Sequence, residues 1–145
     1  MAQKAKVLVV ANQTAESEEL LAALKARGDQ GGAEFTVLIP ATPHGVSWAA
    51  NMHSGGEEAS HDRDALVERL RSIGLDVTGA KVGDPDALAA IQDEVNMGEY
   101  DELIVSTLPK RISKWLHLDL PSKAEAATGL PVMHITAHAV KTPAG

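Results

Sequence analysis

Apolar residues fall along this chain in five short runs, separated by stretches with helical spacing. The runs are Lys6–Ala11, Glu34–Ile39, Val77–Val82, Glu102–Ser106 and Pro131–Thr136. Val7-Leu8-Val9-Val10 and Leu103-Ile104-Val105 are nearly continuous and rich in β-branched residues, which predicts strands covered on both faces. Thr14 is placed to cap a first helix, with Glu16, Glu18 and Glu19 in its opening turns, Leu20, Leu21 and Leu24 inward, and Gly28 as its stop. A second helix carries Leu66, Val67, Leu70 and Ile73 and stops at Gly74. In a third, Asp84 caps, Pro85 takes the first helical position, Leu88, Ile91 and Val95 face inward, and Gly98 ends the helix. A last helix covers Leu120–Thr128, ahead of Gly129 and Pro131.

Strands alternating with helices predict an α/β domain, a parallel sheet between two helical layers. Its 145 residues are the size of one such domain, spanning residues 1–145. The segment Ala41–Gly56 is long for a strand-to-helix connection, where about 2–6 residues is usual. It holds His44, Trp48, Met52 and His53, and reads equally as a lid, a partner loop or a plain insertion.

Composition narrows the function classes. There is no cysteine, which excludes a disulfide scaffold, a thiolate zinc site and a cysteine nucleophile. Aromatics make up 3%, too few for a base-stacking platform, and the net charge of −7 opposes duplex binding, so no nucleic-acid partner is expected. The charge is uneven. Residues 1–105 hold 8 Lys/Arg against 18 Asp/Glu, whereas residues 106–145 hold 5 against 2. Lys110, Arg111 and Lys114 lie within five residues, which marks either a local anion site or a solvated helix face. Val7–Ala11 is shorter than a secretory core of about 7–15 residues or a span of about 20, so a cytoplasmic chain without a membrane is expected.

In open α/β sheets, ligands bind outside the carboxyl ends of the strands, where the strand order reverses. The residues there are Asn12-Gln13-Thr14, Gly83-Asp84 and Ser106 to Arg111. They contain no GxxxxGK[ST] loop and no GxGxxG, and the chain has no GxSxG elbow and no HExxH helix. His134 and His138 fall on a strand, where residues four apart lie about 13 Å from each other, too far to share one metal. His44, His53, His61 and Asp62 would converge only if the long loop folded back. The remaining chemistry is an anion site. Ser106 and Thr107 offer hydroxyls, Lys110 and Arg111 offer charge for phosphate, and Asn12 can meet a base edge or ribose. An adenine nucleotide is coherent with that set.

Several stretches resemble the universal stress protein family. Val7-Leu8-Val9-Val10-Ala11-Asn12 with the helix after it resembles the family's opening. Val82-Gly83-Asp84-Pro85, the helix to Val95, and Tyr100-Asp101-Glu102-Leu103-Ile104-Val105-Ser106 resemble its third strand, third helix and fourth strand. Gly129-Leu130-Pro131-Val132 resembles the start of its last strand. The resemblance implies a five-stranded parallel sheet of order 3-2-1-4-5 and a homodimer built on the last strand. It also implies an ATP site made by three spaced glycines, a hydroxyl and a strand-one aspartate. Those positions fall here on Ser106, Pro109, Asp119, Leu120 and Asn12. Pro109 has no amide to offer a phosphate, and Asp119 brings a repelling charge, although it can also cap the last helix.

These readings lead to a non-catalytic stress-related regulatory or signalling protein with a degenerate nucleotide pocket. The alternative is an adenine-nucleotide binder, for ATP or AMP, using an altered, glycine-poor site. In either case Asn12, Gly83, Ser106, Thr107, Lys110 and Arg111 line the site, and no evident general base supports turnover.

Overall fold

The β-branched run at the start forms the centre of the sheet, because it can be paired on both sides and covered on both faces. The computed structural model describes residues 5–11, 17–30, 32–41, 54–83, 86–109 and 114–137. Within them the chain runs β1 (Ala5–Val10), α1 (Glu18–Asp29), β2 (Ala33–Pro40), α2 (Ser54–Ser72), β3 (Asp76–Gly83) and α3 (Ala87–Met97). It continues through β4 (Glu102–Thr107), α4 (Lys114–His117), α5 (Leu120–Thr128) and β5 (Val132–Thr136). All five predicted strands are present, and α4 is an additional short helix. The strands form one parallel sheet of order β3-β2-β1-β4-β5.

Alternation along the strands divides the core between two faces. Val7, Val9, Phe35, Val37, Ile39 and Ile104 meet Leu20, Leu21 and Leu24 of α1 and Leu66 and Leu70 of α2. Leu8, Val10, Leu38, Leu103 and Val105 face the other way, onto Ala87, Ala90 and Ile91 of α3 and Leu120 and Ala124 of α5. Val7 to Val10 are all fully buried, as a central strand covered twice requires. Among the described residues no helix is long and apolar enough to cross a membrane.

The helix ends depart from the sequence expectations in physically simple ways. Ser17, not Thr14, caps α1, its hydroxyl accepting from the Leu20 amide at 3.2 Å; Thr14 lies outside the described residues. Gly28 sits inside the last turn of α1 instead of ending it, and Gln30 is the C-cap. Asp86, not Asp84, caps α3, accepting from the amides of Leu88 and Ala89; Asp84 and Pro85 are outside the described residues. The inward stripe of α3 is Ala87, Ala90, Ile91 and Glu94, so Leu88 and Val95 are only partly covered. Ile73 lies beyond α2 and is 41% exposed, while Gly74 turns the chain at φ 86. Asp119 precedes α5 as predicted but makes no capping bond from its side chain.

Candidate functional site

The order of the strands sets where a ligand can sit. Chain connections diverge between β1 and β4, so the topological switch point lies beyond their carboxyl ends, at Ala11 and at Ser106–Pro109. The backbone there is held by the sheet continuing past its strands. Ala11 N–H donates to Leu38 O at 3.3 Å, Ala41 N–H to Gly83 O at 3.0 Å, and Ala137 N–H to Thr107 O at 2.8 Å.

Of the residues singled out from sequence, Gly83, Ser106 and Thr107 are described; Asn12, Lys110 and Arg111 lie outside the described residues. All three of the former end strands at the expected side of the sheet. Ser106 and Thr107 are neighbours on β4 and both buried, but alternation turns them to opposite faces. Ser106 follows Ile104 onto the α1 face, whereas Thr107 follows Val105 onto the α5 face. Gly83 ends β3, and both β2 and β1 lie between it and β4, about 14 Å at ordinary strand spacing. It stands off from the switch point and does not join the β4 hydroxyls.

Gly83 also has a packing reason to be glycine. A Cβ there would meet Ala90 Cβ and Leu38 Cδ1, each at 2.9 Å. The missing side chain lets α3 lie directly on the end of β3.

Thr107 has a partner that sequence reading did not assign. Its hydroxyl donates to Leu108 O at 2.9 Å, so its oxygen accepts from His134 Nε2 at 2.7 Å, which places a proton on that nitrogen. Parallel register sets this up, since Val105 pairs with His134 and Thr107 with Thr136. Partial burial lowers the His134 pKa from its usual value. His138 is outside the described residues, as are His44 and His53. Among the described residues no group of three His, Asp or Glu stands close enough to hold a metal ion.

The stretch after β4 contains one unusual backbone conformation. Asp119, where the resemblance places a glycine, adopts φ 57 and ψ 43, the left-handed region that glycine favours. Among the described residues it is the only non-glycine at positive φ. The backbone takes a shape that suits glycine, but the side chain there is a carboxylate.

Two cavities open at the opposite, N-terminal end of the strands. One, of about 460 Å³, is lined by Arg27, Gln30, Glu102, Leu103, Pro131, Val132 and Met133. Its cation is already committed, because Arg27 holds Glu102 through two bonds of 2.6 and 3.1 Å. That pairing raises the Arg27 pKa further. The other, of about 190 Å³, lies between Lys6, Glu34, Thr36, Thr78, Gly98, Glu99 and Tyr100. Neither includes a candidate site residue, and the switch point is the site that strand topology favours.

This architecture, a parallel 3-2-1-4-5 sheet between two pairs of helices with its switch point between β1 and β4, is a doubly wound α/β fold. Solved structures with the same fold include universal stress proteins. UspA from Lactobacillus plantarum superposes with a TM-score of 0.65 at 16% identity, over 93% of this chain and 99% of that one. A universal stress family protein from Arabidopsis thaliana with AMP bound gives 0.62 at 18% identity, over 97% and 96%. The Archaeoglobus fulgidus protein in complex with dAMP gives 0.61 at 14% identity, over 94% and 100%. The chain therefore has the universal stress protein fold. No protein-family model matches the sequence, and no curated protein is found similar to it.

Proposed function

We propose that this chain is a cytoplasmic, stress-related regulatory protein whose crevice between β1 and β4 holds a small adenine nucleotide without turning it over. The observation that carries this reading is the switch point itself, on a fold whose solved relatives include proteins bound to AMP, dAMP and cAMP. Asn12, Ser106, Thr107, Lys110 and Arg111 are the proposed contacts, with Gly83 at the rim. Thr107 is engaged by His134, so its part is to fix the shape of the β4 end, leaving phosphate to the two cations. Thermal melts with millimolar AMP test the reading. A rise of several degrees is expected, because a ligand stabilises the state it binds. Lys110→Ala and Arg111→Ala should reduce that rise; no shift with AMP, ADP or ATP would remove the nucleotide from the account.

A second copy of the chain is the proposed partner, pairing through β5. The two sheet edges support this by their difference. β3 carries Asp76, Lys81 and an irregular register at Phe35/Thr36, all of which discourage strand addition. β5 reads Val-Met-His-Ile-Thr, with neither a Lys, Arg, Asp or Glu nor a proline, and its Met133 is 42% exposed. A lysine at an edge opposes pairing. Met133→Lys should therefore convert a dimer to a monomer in light scattering, with a little-changed melting temperature. A monomeric wild-type chain, or a variant that stays dimeric, would contradict this arrangement.

A further inference from the structure

This chain has no thiol, so its oxidisable sulfur lies in methionine alone. Met1 and Met52 are outside the described residues. Met97 ends α3 and is 77% exposed; Met133 lies on β5 and is 42% exposed. Neither belongs to the two core clusters, so an oxygen added at either sulfur leaves the packing of the sheet faces alone. Of the two, only Met133 stands on an edge strand, one without lysine, arginine, aspartate or glutamate. It shares a face with Ile135, so a partner on that edge meets apolar side chains.

Met133 also lines the cavity of about 460 Å³ beside β5, together with Arg27 and Gln30. The charge of Arg27 is balanced by Glu102 through bonds of 2.6 and 3.1 Å. Its guanidinium has more N–H donors than those two bonds use. A neutral oxygen acceptor suits such a group, because it adds a hydrogen bond without competing for the ion pair. A methionine sulfoxide is an acceptor of that kind.

We infer that Met133 is an oxidation site through which hydrogen peroxide controls pairing of the chain along β5. This inference rests on the self-pairing reading above. The thioether sulfur bonds one peroxide oxygen as the O–O bond breaks, and the other oxygen leaves as water with both protons. Sulfur is oxidised to the sulfoxide and peroxide is reduced. A second copy seated on β5 would bury the new polar oxygen against apolar side chains, at the cost of its hydration. When the side chain turns inward to Arg27 and Gln30 instead, the edge loses the apolar contact it offered. Both outcomes weaken the dimer. A formed dimer in turn shields Met133, so its oxidation proceeds through the separated chain, whereas Met97 lies off β5 and reacts in either state.

Peroxide treatment of the full chain, followed by light scattering and peptide mass mapping, tests it. In wild type, an added oxygen on Met133 should accompany a shift from dimer to monomer, with a little-changed melting temperature. The methionine sulfoxide reductases for the two epimers should then restore the dimer. Raising the protein concentration should slow oxidation of Met133 several-fold relative to Met97. Each variant is compared with its own untreated state. Met133→Leu should keep its particle size through the treatment, and Met97→Leu should lose its dimer as wild type does. A Met133 sulfoxide that leaves the dimer intact would overturn the inference while self-pairing stands, as would a Met133→Leu chain that dissociates on treatment. Met133 that resists peroxide in dilute protein, where Met97 reacts, would overturn it as well. A wild-type chain that is monomeric before treatment would remove the self-pairing reading, and this inference with it.

Discussion

Replacing Glu94 by alanine is expected to destabilise the folded chain by about 2–4 kcal/mol, measured by urea unfolding. Glu94 is the polar member of the inward stripe of α3 and only 7% exposed. Its carboxylate accepts from the Tyr100 hydroxyl at 2.5 Å and pairs with Lys81 on β3 at 3.0 Å. The three groups therefore bolt α3 to the edge strand and to the turn before β4. Alanine would leave the Tyr100 hydroxyl without that acceptor and open a gap under the helix. Lys81 is half-exposed and would be resolvated, so it adds less to the loss.

The same substitution has a spectroscopic signature. Tyr100 is the only tyrosine in the chain, so tyrosinate absorbance reports it alone. Its pKa is pushed up from 10.0 to about 12, first by burial and next by the bond to Glu94. A raised phenol pKa means that the folded state holds its proton where the unfolded state has lost it. The resulting stability is complete below pH 10 and disappears as pH rises from 10 to about 12. Glu94→Ala should bring the titration back toward 10 and flatten the stability loss over that window. An unchanged titration would show that the clamp does not form.

Gly83→Val has the second largest expected effect, about 1–3 kcal/mol, or roughly 3–10 °C in melting temperature. The cause is contact distance and not backbone conformation. A Cβ would stand 2.9 Å from both Ala90 Cβ and Leu38 Cδ1, and Ala90 has no torsion by which to retreat. α3 must then lift from the end of β3. Gly83→Ala should cost less than valine but more than an exposed substitution. A valine variant of wild-type stability would mean that the helix does not lie on the strand end as described.

Much of the fold is legible in the sequence because its strands are covered on both faces. Runs such as Val7–Val10 have no other use in a chain of this size, and all five runs became strands. The order of those strands is not written in any one run; it came from the resemblance and agrees with the sheet. Helix starts were harder where two capping residues compete. Thr14 and Ser17 both precede the acidic turn, and Asp84 and Asp86 flank one proline; in each case the later residue caps.

The strand ends that carry the candidate residues are legible in the sequence, but the orientation of their side chains is not. Ser106 and Thr107 were correctly placed at the end of β4, yet a period of two sends them to opposite faces. The Thr107–His134 bond depends on the β4–β5 register, which the sequence does not specify. Glu94 did leave a signal. Ala87, Ala90, Ile91 and Glu94 follow the i, i+3, i+4, i+7 pattern of a buried face, and a carboxylate in that series implies partners across the interface. Asp119 reads naturally as a cap, since nothing in the residue type announces a left-handed backbone.

We propose that ligand binding belongs to the switch point at the carboxyl ends of β1 and β4. Mapping backbone amide shifts during titration with AMP tests it most directly. The largest changes are expected to gather at Ala11 and Ser106–Leu108. Residues around the N-terminal cavity, such as Arg27, Glu102 and Met133, should stay still. Changes centred on Arg27, Glu102 and Met133, or no changes at saturating AMP, would contradict it.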